Sequence, residues 1–161
     1  MIQVNYLSST LAIAGALSPA DFAGVARRGF KTVINNRPDG EEEGQIAAGD
    51  AACHAVDAGL AYLHVPAAKH EVLDDHVLEP LAEALATADG PVLLHCRSGL
   101  RSAIMWAALS SDAGVPLYDI LTAARYAGFD LEGVREELAE RAAAAAAATE
   151  LQRMAPHRAA A

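Results

Sequence analysis

One stretch, His95-Cys96-Arg97-Ser98-Gly99-Leu100-Arg101-Ser102, holds the residue types that could carry covalent chemistry. Cys96 supplies a thiol, whose ionised form is a strong nucleophile. The run Pro91 to Leu94 just before it is continuously apolar, as a buried strand is, and a helix is expected from Ser102 onward. A cysteine in the turn between the two meets backbone N–H groups of a Gly-containing loop and of the first helical turn, which lack carbonyl partners. Those donors stabilise negative charge on the sulfur or on an anion beside it. Arg101, at the loop's end, is placed to aim its planar donor fork at an oxyanion, whereas Arg97 faces solvent or a partner. Ser98, Gly99 and Leu100 complete an anion-binding loop, in which Gly99 permits close approach or a positive φ. Ser102 is a candidate donor to the sulfur, and His95 a candidate to fix the loop from the strand side. So polar a neighbourhood would make a poor core, which disfavours a merely buried cysteine.

The elements that must hold this loop alternate along the chain. Leu11 to Ala14 reads as a short strand, and Ser18-Pro19-Ala20-Asp21 as the cap and first turn of a helix that Gly29 stops. Phe30 to Ile34 is a β-branched run suited to a buried strand. A helix over 45–58 is expected to put Ile46, Cys53 and Val56 on its inner face, and Ala61 to Val65 is the next strand. Apolar positions recur at helical spacing from Leu73 to Ala88, where Pro80 is an expected interruption or offset. Further helices are expected over 102–112, 116–127 and 131–155, the last carrying the alanine run Ala142 to Ala148, with 156–161 a frayed tail.

This alternation predicts a single α/β domain over 1–155, a central mostly parallel sheet flanked by helices through right-handed crossovers. Ligands in such sheets bind beyond the C-terminal strand ends, and that edge also carries Arg37-Pro38-Asp39-Gly40-Glu41. Arg37 or Asp39 is expected to position the loop or an acceptor through charge-assisted hydrogen bonds, and Glu41 to Glu43 to form a solvated acidic cap.

The 161 residues are 53% apolar, enough for one sizeable core. Twelve Lys and Arg against 21 Asp and Glu leave a net charge of -9, which disfavours nucleic acid as a partner, because phosphate binding normally needs a basic surface. No apolar run is long enough to span a membrane, and the N-terminus lacks the basic-then-apolar pattern of an export signal. A cytoplasmic protein without a membrane partner is expected, in a reducing compartment that keeps Cys53 and Cys96 as free thiols. His54, His64, His70 and His76 lack metal-ligand spacing, and neither a metal nor another cofactor is expected.

The cysteine loop resembles both the phosphate-binding loop of cysteine-dependent protein phosphatases and the active-site loop of rhodanese sulfurtransferases. Together with Gly29 to Asp39 (GFKTVINNRPD) and residues 58–66 (AGLAYLHVP), the segment PVLLHCRSGLRSA more specifically resembles the DUF442 family, the phosphatase-like domain of beta-lactamase-hydrolase-like proteins, over about residues 5–140. That resemblance implies a protein-tyrosine/dual-specificity-phosphatase-like three-layer fold, with Cys96 as nucleophile and Arg101 as the anion-binding arginine.

Two departures from the phosphatase pattern matter. It has five residues between cysteine and arginine, and here four intervene. A shorter turn contracts the ring of donors around three equatorial phosphoryl oxygens, whereas a persulfide sulfur needs less room. Phosphatases of this fold also place an aspartate roughly thirty residues before the cysteine to protonate the leaving oxygen. That region here reads Pro66-Ala67-Ala68-Lys69-His70-Glu71, so Asp39, His70, Glu71, Asp74 or Asp75 would have to substitute. The leading expectation is therefore a rhodanese-like sulfurtransferase, in which Cys96 takes sulfane sulfur from a small donor and passes it to a thiol acceptor, glutathione or a protein cysteine. The alternative is a tyrosine- or dual-specificity-type phosphatase, acting on a phosphoester through a phosphocysteine. A third reading is a non-catalytic anion- or persulfide-binding module.

Overall fold

The computed structural model describes residues 2–154. Its strands are β1 (Val4–Tyr6), β2 (Leu11–Ala14), β3 (Thr32–Asn35), β4 (Ala61–His64) and β5 (Val92–His95), side by side in the order β1-β2-β5-β3-β4. β1 runs antiparallel to β2, and every other pair is parallel. β5 is central because its apolar run leaves no face for water, and all four of its residues are buried. The helices are α1 (Asp21–Arg27), α2 (Ala48–Asp57), α3 (Asp75–Thr87), α4 (Leu100–Asp112), α5 (Leu117–Tyr126) and α6 (Arg135–Met154).

Alternation along the strands sorts side chains into two cores. Ile13, Ile34, Val92 and Leu94 pack with Leu78 and Leu81 of α3, Met105 of α4, Ile120 of α5 and Leu138 of α6. Ala12, Ala14, Val33 and Leu93 pack with Phe22 and Val25 of α1 and with Ala51 and Ala55 of α2. The sheet is thus the middle of three layers. From β2 through α1 to β3, and on through α2 to β4, the chain moves one way across the sheet. From β4 through α3 it moves back to β5, with the helix on the other face, so each crossover stays right-handed. The switch in direction gathers the C-terminal ends of β2, β3 and β5 around the segment that follows β5.

Several expectations need correction. Cys53 is exposed and Val56 is 68% exposed, although helical spacing placed both inward. α2 instead buries Ala48, Ala51 and Ala55, a stripe of small side chains that lets it lie close over the sheet. Pro80 sits inside α3 without ending it. β1 goes unread in the sequence because three residues at a sheet edge carry too little alternation. The last helix opens as a 3-10 turn at Glu132–Val134 before α6. The tail expected over 156–161 lies outside the described residues. Among those described, no helix is long and apolar enough to cross a membrane.

Candidate active site

Cys96 follows β5 at the sheet's C-terminal edge and is 1% exposed. Its Sγ accepts a hydrogen bond from the Gly99 N–H at 3.2 Å. That bond requires the chain to reverse within three residues, and Gly99 achieves it at φ +92°, a conformation that strains any side chain. A Cβ there would also lie 2.9 Å from Phe129 Cζ and 3.0 Å from Ile13 Cγ2. The loop is pinned from its other side by the segment that follows β2: the Ala16 N–H donates to the Arg97 carbonyl at 2.9 Å, and a Cβ on Gly15 would come within 3.2 Å of that oxygen. α4 begins at Leu100, so the first N–H groups of this helix, which have no carbonyl one turn earlier, open toward the loop. Arg97, Ser98 and Leu100 are exposed.

Arg101 is 6% exposed and held at two nitrogens, Nη1 donating to the Ala67 carbonyl at 2.8 Å and Nη2 to Glu41 Oε2 at 2.7 Å. Arg37, equally buried, donates from Nε to the same Glu41 oxygen at 3.0 Å and from Nη2 to Glu42. Glu42 also pairs with Arg97. The acidic run expected as a solvated cap therefore bridges three arginines. Gathered guanidiniums repel one another, and the two carboxylates offset part of that charge. The hydrogen bond from Arg101, and then that from Arg37, hold the Glu41 carboxyl below its usual range although burial pulls the other way.

Asn36 is fully buried and organises the site from below. Its backbone N–H donates to the His95 carbonyl at 2.8 Å, its Nδ2 donates to the Val65 carbonyl at 3.0 Å, and its Oδ1 accepts from the Ser102 hydroxyl at 2.8 Å. One residue, through its backbone and its side chain, thus ties the ends of β3, β4 and β5 to the first turn of α4. It also corrects the expectation for Ser102, whose hydroxyl bonds Asn36 rather than the sulfur. His95 contributes to the loop's position through its carbonyl. Its ring is buried with neither nitrogen hydrogen-bonded among the described residues. Burial pushes its pKa down to about 4, with Arg37 and His64 adding to the shift, and the Cys96 backbone opposes it without meeting hydrogen-bond geometry. The ring is therefore neutral at pH 7. Arg37 reaches the loop's partners, but Asp39 does not join it: its Oδ1 accepts the Ala48 N–H at 2.8 Å and caps α2.

The residues expected to replace the missing aspartate are dispersed. Glu71 accepts the Ala68 N–H at 3.1 Å, Asp75 pairs with Arg141, Asp74 immediately precedes α3, and the His70 side chain is 83% exposed. Glu41 is the carboxyl group that reaches Arg101, and Arg101 and Arg37 keep it ionised, which unsuits it to donate a proton at neutral pH. Sequence patterns place Glu41 only in a solvated acidic cap and assign Asn36 no role. The available signal was their place beside Arg37, at the same sheet edge as the cysteine loop.

A solved candidate phosphatase from Neisseria meningitidis Z2491 is 33% identical to this chain, with a TM-score of 0.77 over 84% of this chain and 96% of its own. The catalytic core of the S. cerevisiae PP-IP phosphatase Siw14 is 14% identical, with a TM-score of 0.64 over 95% and 94% of the two chains, a likeness of fold alone. The fold is that of the protein tyrosine and dual-specificity phosphatases. A beta-lactamase hydrolase-like protein of Xylella fastidiosa is 36% identical over 126 residues, which cover 78% of this chain but only 29% of that relative's length. Residues 3–115, from β1 through the Cys96 loop and α4, match the family described as beta-lactamase hydrolase-like protein, phosphatase-like domain, and the chain belongs to that family.

Proposed function

We propose that this chain is a cysteine-dependent phosphatase of the tyrosine or dual-specificity type. The Cys96 sulfur attacks the phosphorus of a phosphomonoester. As the S–P bond forms, the ester P–O bond breaks, and the leaving oxygen takes its proton from solvent. Water then cleaves the phosphocysteine, releasing inorganic phosphate and the free thiol. Arg101 and the first N–H groups of α4 bind the equatorial oxygens and stabilise the charge that gathers there. The observation that carries this reading is the Cys96, Gly99 and Arg101 loop between β5 and α4, in a fold shared with a candidate phosphatase 33% identical to this chain.

This reading reverses the order expected from the sequence, where sulfur transfer came first. The family and its solved relative support phosphoryl chemistry better. Sulfur transfer is the second reading, favoured by the short gap between cysteine and arginine and by the arginines that keep Glu41 ionised beside the loop. In it, the Cys96 thiolate displaces sulfite from thiosulfate, and a thiolate acceptor then takes the outer sulfur of the persulfide.

With para-nitrophenyl phosphate as substrate, the protein is expected to release phosphate, and Cys96→Ser to lose at least about a thousandfold of that rate. Thiosulfate with cyanide is expected to yield no Cys96-dependent thiocyanate. Thiocyanate without phosphate release would exchange the two readings.

A further inference from the structure

The loop between β3 and α2 is fastened differently at its base and its tip. At the base, Gln45 Nε2 donates to the Pro38 carbonyl at 2.7 Å, and Asp39 accepts the Ala48 N–H. The tip is Gly40-Glu41-Glu42-Glu43-Gly44, three acids between two glycines that both stand at φ +74° with nothing close to an added Cβ. One backbone bond joins tip to base, from the Gln45 N–H to the Glu42 carbonyl at 3.2 Å. The tip has no apolar side chain to bury. What holds it over the site is charge: Glu41 on Arg37 and Arg101, Glu42 on Arg37 and Arg97. Glycines at both ends let the backbone swing at little cost, and contacts made mainly of ion pairs yield to a competing anion.

Resting on the proposed phosphoryl chemistry only in that the loop binds an anion, we propose that residues 40–44 are an anion-displaced strap: Glu41 occupies Arg101 in the resting state as a mimic of the substrate's anionic group, and substrate binds by exchanging with it. A phosphoryl dianion carries more charge and more acceptor oxygens than the carboxylate it replaces, so the exchange selects dianions over carboxylates and other monoanions. The depressed Glu41 pKa keeps the strap charged through neutral pH. The competing role is a brace, in which Glu41 holds Arg101 and Arg37 in the pose that binds substrate. Neutralising Glu41 and Glu42 has opposite consequences under the two roles.

The test measures the affinity of inorganic phosphate by calorimetry and by protection of Cys96 from iodoacetamide, read peptide by peptide so that exposed Cys53 is counted separately. If the open strap is about a tenth of the resting population, the E41Q/E42Q double variant binds phosphate about tenfold more tightly. E42Q alone, which alters a side chain already 42% exposed and so leaves folding intact, shifts affinity in the same direction by about threefold. E43Q, whose side chain makes no ion pair among the described residues, leaves affinity unchanged. Weaker or unchanged phosphate binding in the double variant, or no binding by any form, overturns the strap. The readout needs no turnover. Tighter phosphate binding in a protein that cleaves no phosphoester keeps the strap and discards the phosphatase reading, and turnover with weakened binding does the reverse.

Discussion

His95, the residue before Cys96, carries a buried neutral ring, and that state makes stability depend on pH. Its pKa is about 4 in the folded protein against an ordinary 6.5. Between those values the unfolded chain takes up a proton that the folded protein refuses. Stability is therefore full above pH 6.5 and declines as the pH falls toward 4. Glu41 pulls in the same direction only below its ordinary value of 4.5, so the interval from pH 7 to pH 5 isolates the histidine. Over that interval the wild type is expected to lose about 2 kcal/mol more than His95→Asn does, measured by urea unfolding at the two pH values. Equal losses would place the imidazole in contact with water. A neutral His95 also leaves the positive charge near Cys96 to the arginines, which is why the carboxylates of Glu41 and Glu42 matter at this scale.

The element that converts these residues into a site is the junction of β5 with α4, and Gly99 is its tightest point. Replacing it with alanine sets a side chain at φ +92° and drives a methyl group into Phe129 and Ile13. The two effects together are expected to cost about 2 to 4 kcal/mol in chemical denaturation. An unaffected midpoint would mean that the loop relaxes around the methyl group. This junction was legible in the sequence because its signals are local: an apolar run, a cysteine, a glycine and a helix start within a dozen residues. Asn36 and Glu41 were not legible in the same way. The Ser102 to Asn36 bond spans 66 residues and the Arg101 to Glu41 bond spans 60, and local patterns of strand and helix carry no information about such pairs. Ser102 was misplaced for the same reason, since it was assigned to the nearby sulfur and bonds a partner brought in by the fold; Asp39 erred the other way, expected at the distant loop but bonded to Ala48 nine residues on. α2 misled by composition: its inner face is alanine, which hydrophobic patterning ranks below the cysteine and valine that in fact face water.

At the scale of the molecule, the sheet edge that holds the chemistry is backed by α3, α4 and α5, and α6 closes over that layer by two unequal means. Leu138 is its one buried residue, fully enclosed in the core shared with Met105 of α4 and Ile120 of α5. Arg141 then reaches Asp112 at the end of α4, Asp75 at the start of α3 and the Leu73 carbonyl. The alanine run beyond Arg141 is exposed or half-buried, so its helical form follows from propensity more than from packing. Stability should accordingly be concentrated in the first two turns of α6. Leu138→Ala is expected to cost about 3 kcal/mol, because the enclosed site cannot collapse around the missing atoms. A chain ending after Ala143 removes little buried apolar area and is expected to stay within about 1 kcal/mol of the full length. Urea unfolding of the two variants against the parent decides the matter. A truncation as costly as Leu138→Ala would show that the alanine run packs as a structural element, and that the face it covers contributes to holding α4, and with it Arg101, against the sheet.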